Sequence, residues 1–279
     1  MSEGRIARSW RLTRSAWRVV RSDRALLTLA ALSGALGVGG VAVIFGLGGL
    51  FGAGGFSRGH VALAGLVVAY PLMFVSVFLN TAIAAAAAAA LDGRRLSLGE
   101  ALRVPARRIG TVALWALIAA GVGMLLEQIA SRLPLGGSIA VRLVGVGWSL
   151  ASLFAIPILA LEECSAPQCL KRSAHVVKER WGEGISGNVM ISAWTILVTI
   201  PLVVVFAVAL GASYRVPATR DAVIFAGVLV LVAIIAITTV VRQTFAVALY
   251  RYATTGSAEG PFEQRDLQAP FSPKLGPFR

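Results

Sequence analysis

The chain has 279 residues, of which 57% are hydrophobic and only 14% charged, and its mean hydropathy is +0.79. A soluble domain of this length has no core large enough for so much apolar surface, so composition excludes an ordinary water-soluble fold and indicates a protein of the bilayer. The formal net charge of +13 would suit a nucleic-acid binder, but no basic, aromatic soluble module accompanies it, and nucleic acid is not expected as a partner.

Residues 1–24 predict a cytoplasmic amphipathic helix. Ile6, Trp10, Thr13, Trp17 and Val20 recur at helical spacing, while Arg8, Arg11, Arg14, Arg18 and Arg21 gather on the other side. Such a helix should lie in the interface with both Trp at headgroup depth. The apolar run that follows is longer than a signal-peptide core, so this N-terminal stretch reads as an uncleaved anchor.

Crossing a hydrocarbon core of roughly 30 Å takes about 20 apolar residues in a helix, whereas barrel strands would alternate apolar and polar side chains. The runs here are continuous. They predict six spans, 25–47, 61–91, 109–131, 139–161, 188–212 and 221–252, within a transmembrane domain covering 25–252. The third and fourth carry Glu127 and Arg142, which leaves two full crossings or a tilted, partly re-entrant hairpin as readings, the former preferred.

The first span ends in a glycine-rich stretch. Gly46 to Gly49 and Gly52 to Gly55 lack the lysine and the strand–helix unit of a phosphate cradle and read as a helix end and outer loop. Gly48 and Gly52 form a Gly-x-x-x-Gly, and Ala84 to Ala90 in the second span make a smooth face. Both suit close helix packing, within the molecule before a homo-oligomer seam, though the latter is allowed.

Between the second and third spans, Ser97-x-x-Glu100 is a capping box, predicting a short helix near 97–104 that stops by Pro105. Between the fourth and fifth, Ser165-x-x-Gln168 opens a helix over 166–181, with Leu170, Ala174, Val177 and Trp181 as its apolar stripe and Lys171, Arg172, His175, Lys178 and Arg180 on the remaining surface. Cys164 and Cys169 fall in this loop and are expected as structural thiols, not as a disulfide or metal cluster. Residues 253–279, with four Pro, predict a disordered cytoplasmic tail.

Seven Arg precede the first span, five lie between Arg94 and Arg108, and four Lys or Arg lie between Lys171 and Arg180. The positive-inside rule then puts both termini in the cytoplasm of a cell with this protein in its inner membrane. The predicted fold is all-α, a polytopic membrane protein of six transmembrane helices in which a cytoplasmic amphipathic helix precedes each helical hairpin. Leu12 to Ala16 also aligns with Leu170 to Ala174, with Val19 and Val177 in step, which suggests an internal triplication.

Charge inside a bilayer costs roughly 2.5 to 3.5 kcal/mol per group, so polar groups in the spans need an account. Asn80 reads as an interhelical hydrogen-bond partner and Glu127 with Arg142 as an ion pair or interfacial pair. Arg242 should snorkel to the headgroups. The alternative for these four is a solute path, framed by Pro71, Pro157 and Pro201. Glu162 and Glu163 are adjacent, diverge by about 100° on a helix and suit local salt bridges with Lys171, Arg172 or Arg180 better than acid–base chemistry. His60 and His175 lack partners at metal-ligand spacing.

The runs Ser15-Ala16-Trp17 with Asp23, Phe78-Leu79-Asn80, Leu91-Asp92-Gly93, Trp115 to Gly123, Trp148 with Pro157 to Glu162, Lys171-Arg172-Ser173 and Arg180-Trp181-Gly182-Glu183 together resemble an uncharacterised family of prokaryotic six-span membrane proteins, a domain of unknown function. The layout is distantly similar to the membrane domain of some glycerophosphodiester phosphodiesterases and to Yip-type proteins. The resemblance implies architecture and no activity.

No catalytic, cofactor or metal residues are expected, and the chain is read as non-enzymatic. It would be a scaffold organising anionic lipid or a membrane-protein partner, with Arg8, Arg11, Arg14, Arg18, Lys171, Arg172 and Lys178 at the headgroups; the alternative is a small permease or channel.

Overall fold

The computed structural model describes residues 5–53, 58–181 and 217–257, with Gly260 and Phe262 beyond them. All of the regular structure among these residues is helical: α1 (Arg5–Ser22), α2 (Arg24–Ala53), α3 (Arg58–Leu91), α4 (Leu98–Arg107), α5 (Ile109–Arg132), α6 (Leu135–Ala151), α7 (Ala155–Leu161), α8 (Ala166–Trp181) and α9 (Pro217–Thr255).

Four stretches are long and apolar enough to cross a membrane, Tyr70–Leu91, Ile109–Arg132, Ile139–Leu161 and Phe225–Thr255, a make-up that suggests a multi-pass membrane protein. They coincide with four of the six expected spans. The first expected span lies in α2 (Arg24–Ala53), of which Arg24–Gly40 is an apolar stretch. The fifth, 188–212, lies outside the described residues, as does Pro201.

α3 is the hub. It packs against α1, α2, α4, α5, α7 and α9. Residues 81–89 are all buried, about two and a half turns of helix, so the alanines line the whole circumference and not one face. Small side chains let helices close in from every side, and seven of these nine residues are alanine. Among the described residues of α2, close approaches come at Gly34 and Gly40; the surroundings of Gly48 and Gly52 lie outside those described. A Cβ on Gly34 would stand 3.3 Å from Ala236 Cβ of α9, and one on Gly40 would stand 3.1 Å from Leu72 Cδ2 of α3.

The expected span 139–161 is not one helix. α6 ends at Ala151 and α7 restarts at Ala155. Pro157 has no N–H to give the Leu153 carbonyl and its ring crowds that carbonyl, which disfavours a continuous helix at this point. The break is closed by local bonds, Leu153 N to Leu150 O at 3.1 Å and Ala155 N to Ser152 O at 3.0 Å. Pro71, in contrast, sits inside an unbroken α3.

Helix ends follow the sequence signals. Ser97 and Glu100 form the reciprocal capping box of α4, and the Ser165 N–H donates to Gln168 Oε1 at 2.9 Å at the start of α8. Asp23 turns α1 into α2: its Oδ1 accepts from Ala25 N at 2.8 Å and Leu26 N at 3.3 Å. α3 ends in a Schellman motif, Arg94 N to Ala89 O at 2.9 Å and Gly93 N to Ala90 O at 3.2 Å, with Gly93 at φ 72° where a side chain would be strained.

Three expectations are corrected. Cys164 and Cys169 are disulfide-bonded, because the turn into α8 brings the loop cysteine back over the first helical turn. The buried side of α8 is Ala166, Cys169, Ser173 and Val176, one position round from the predicted stripe, since this side packs on α5, α6, α7 and α9. The tail does not leave the bundle at 253. α9 runs to Thr255, and Phe262 is buried with its ring 6.4 Å from Phe245, so an aromatic side chain draws this part of the tail back.

Candidate functional site

The polar side chains collect at one end of the bundle, where α3, α7 and α9 finish and α2, α5 and α8 begin. This end also carries the basic segments and is called here the basic end. Leu91 ends α3, so Asp92 stands at the negative pole of that helix, an unfavourable place for a carboxylate. Two cations offset this: Asp92 pairs with Arg251 of α9 and with Arg94 at 2.8 Å. The hydrogen bond from Arg251, aided by Arg94, holds the Asp92 carboxyl below its ordinary range against a smaller opposing effect of burial.

A second group joins α5, α7, α8 and α9. Arg108 precedes α5, and its guanidinium donates to the main-chain oxygens of Leu159, at 3.3 Å, and of Glu162, satisfying carbonyls left open at the end of α7. The same side chain reaches Glu163 at 3.5 Å. The Glu162 carboxylate accepts the Tyr250 hydroxyl and pairs with Arg172 at 3.7 Å. Below them the buried Ser173 Oγ accepts the N–H of Phe154 at 3.0 Å, so a side chain of α8 satisfies the backbone that the α6–α7 break leaves open. The Phe154 ring, fully buried, packs on Tyr250 at 5.6 Å.

The frame is therefore a set of mutual ties between helix ends. It holds geometry. Its carboxylates and cations are engaged with one another and with main-chain groups, and chemically it can fix the order of α5, α7, α8 and α9 around α3.

Around the frame, and sharing Arg172 with it, stands a belt of exposed cations. Arg14, Arg18, Arg21 and Arg24 on α1 and α2, Arg95, Arg103 and Arg107 around α4, and Lys171, Arg172 and Lys178 on α8 are all exposed. Arg8 and Arg11 lie on α1, with side chains outside those described. α1 reaches the bundle through Ser15, Ala16, Val19 and Val20, all buried, and packs on α9, α2 and α3. The aligned serines of the two similar segments share an environment, Ser15 at 8% and Ser173 at 0% exposure.

The intramembrane candidates do not come together as one group. Asn80 Oδ1 accepts from Gln243 Nε2 at 3.0 Å, and its own Nδ2 donates to Ser76 O at 2.8 Å, which ties α3 to α9. Glu127 and Arg142 are exposed on α5 and α6, and among the described residues no ion pair joins them. Arg242 is exposed on α9. His175 pairs with Glu179 at 3.1 Å. Sequence reasoning did not single out Arg108, Tyr250, Arg251 and Phe154. A charge at the first or last residue of an apolar helix was the available signal for Arg108 and Arg251; nothing local marks Tyr250 or Phe154.

Several of the runs on which the family resemblance rests contribute to these contacts, while Gly182 and Glu183 lie outside the described residues. Asp92, Glu162, Arg172 and Ser173 belong to the frame, and Trp115 stacks on Trp148 with ring centroids 6.1 Å apart. A family model described as a family of unknown function, DUF6159, matches residues 60–260, and the chain belongs to that family. Comparison with curated proteins and with solved structures finds no match.

Proposed function

We propose that this member of a family of unknown function is a non-enzymatic scaffold of the cytoplasmic membrane, with both termini and its basic end inside, where it gathers anionic lipid headgroups. The observation that carries this reading is the division of labour at the basic end. Asp92 and Glu162 are engaged in ties between helices, while a belt of Arg and Lys on α1, α4 and α8 stays exposed around them.

Near an anionic leaflet each such cation contributes about 1 kcal/mol of attraction, and bidentate guanidinium groups suit phosphate. The α3 hub, closed by alanine, packs directly on α1 and α4 and reaches α8 through α5, α7 and α9. A membrane-protein partner, or a second copy, could be organised by lipid held in this way.

The permease reading requires Asn80, Glu127, Arg142 and Arg242 along one path. Asn80 is used between α3 and α9, and the hub around it is packed with alanine, which supports the scaffold instead.

The test is native mass spectrometry of the full chain during gradual delipidation. Anionic phospholipid should be the last species retained, and changing Arg8, Arg11, Arg14 and Arg18 to Gln should release it at lower activation. Retention of a non-lipid solute, insensitive to those changes, would move the assignment to transport.

A further inference from the structure

We infer that Cys164 and Cys169 are a reversible thiol–disulfide exchange site on the cytoplasmic face, governing how firmly α8 is held to the bundle. The pair is bonded across the link between α7 and α8, the segment that precedes Lys171, Arg172 and Lys178. With the basic end inside the cell, that link lies where small thiols keep cysteines reduced. A bonded pair in that compartment is one that forms under oxidation and is undone afterwards.

The two sulfurs are unequally placed. Cys169 is fully buried in the first turns of α8, whereas Cys164 is only half-buried in the loop. An incoming thiolate therefore attacks Cys164 Sγ, and Cys169 departs as a thiolate near the positive end of α8, which favours a leaving thiolate. A second thiol then attacks the mixed disulfide, releasing Cys164. Both departing thiolates take a proton from water, so two small thiols become one small disulfide and the protein gains two thiols. Oxidation runs the same steps backward, with a low-molecular-weight disulfide such as oxidised glutathione as oxidant.

The consequence follows from what shares the loop. Glu162 and Glu163 lie directly before Cys164 and hold Arg108, Tyr250 and Arg172, and one helix turn beyond Cys169 is Ser173, which bonds Phe154. With the bond closed, α8 is fixed at its start by a covalent link and at its middle by that hydrogen bond. With the bond open only the noncovalent ties remain. The exposed cations of α8 are then presented by a looser helix.

These are the only two cysteines in the sequence, so adduct counting is unambiguous. Inverted membrane vesicles holding the full-length protein would be equilibrated in glutathione buffers of graded redox ratio, quenched with acid, denatured and labelled with a polyethylene-glycol maleimide. The expected gel shift is two adducts in reducing buffer and none in oxidising buffer, reversed on returning the ratio. In parallel, trypsin cleavage after Lys171 and Lys178, read by mass spectrometry, should be several-fold faster in the reduced form. The Cys164→Ser and Cys169→Ser double variant should cleave at the fast rate in every buffer. Two adducts at all ratios, no adducts until denaturation precedes reduction, or equal cleavage of both forms would overturn the inference.

Discussion

At the basic end Leu26, Ala84, Val112, Ile158 and Val247, from five different helices, are each 0% exposed, whereas farther along the same bundle Leu117, Leu125, Ile139, Leu143 and Phe225 are between 55% and 68% exposed. One half is packed by protein and tied by polar groups. The other presents apolar side chains outward, and in a bilayer these meet acyl chains instead of water. Helices in lipid gain little from burying Leu against Leu, since the tails are equally apolar, so association depends on close packing and hydrogen bonds. Both are found at the basic end: the alanine hub of α3, and the frame of Arg108, Glu162, Tyr250, Asp92 and Arg251.

Substitutions can break this contrast. The largest effect is expected for Phe154→Ala, which empties a fully buried site against Tyr250 and should cost about 3 to 5 kcal/mol, read as a lowered midpoint of thermal unfolding in detergent. Ser173→Ala should cost about 0.5 to 1.5 kcal/mol by removing the buried hydrogen bond to the Phe154 N–H, with Ser173→Thr a partial rescue if the hydroxyl is retained in place. Ser97→Ala should cost about 1 kcal/mol by removing the cap of α4. Leu125→Ala, in the outward-facing half, should stay within about 0.5 kcal/mol. A loss at Leu125 equal to that at Phe154 would mean that the two halves are built alike.

Acid sharpens the same contrast. Arg251 and Arg94 lower the Asp92 pKa in the folded protein, so the stabilisation from this carboxylate is complete above its ordinary value. It is lost as pH falls through the lower folded value, in the range below about pH 4. The Asp92→Asn variant should therefore be less stable than the parent at neutral pH, the difference shrinking toward acid. Glu100, held below its ordinary range chiefly by the hydrogen bond from the Ser97 backbone, persists in that variant as an internal reference.

What could be read from the chain beforehand was whatever is local. Both Ser-x-x-Glu/Gln starts, the long apolar runs of α5 and α9 and the amphipathic spacing of α1 depend on residues within a few turns of one another, and the structure has helices at those places. Pro157 was visible as a possible kink, but whether it bends or breaks depends on a partner for the opened backbone, and Ser173 lies 19 residues away. The alanine run was legible as smooth, yet being surrounded on every side depends on six other helices. Cys164 and Cys169 were read through their compartment, while their bonding was decided by the turn into α8. Of the intramembrane candidates, Asn80 found a partner across helices in Gln243, which no spacing in the sequence could nominate.

The central claim is that the basic end is a lipid-facing platform and the apolar half merely its anchor. Hydrogen exchange of the full-length protein in nanodiscs, compared between anionic and purely zwitterionic phospholipid, tests it most directly. The account predicts slower exchange in α1, α4 and α8 with anionic lipid and no change in α5 and α6. Equal protection of α1, α4 and α8 in the two lipids, or a change confined to α5 and α6, would contradict it.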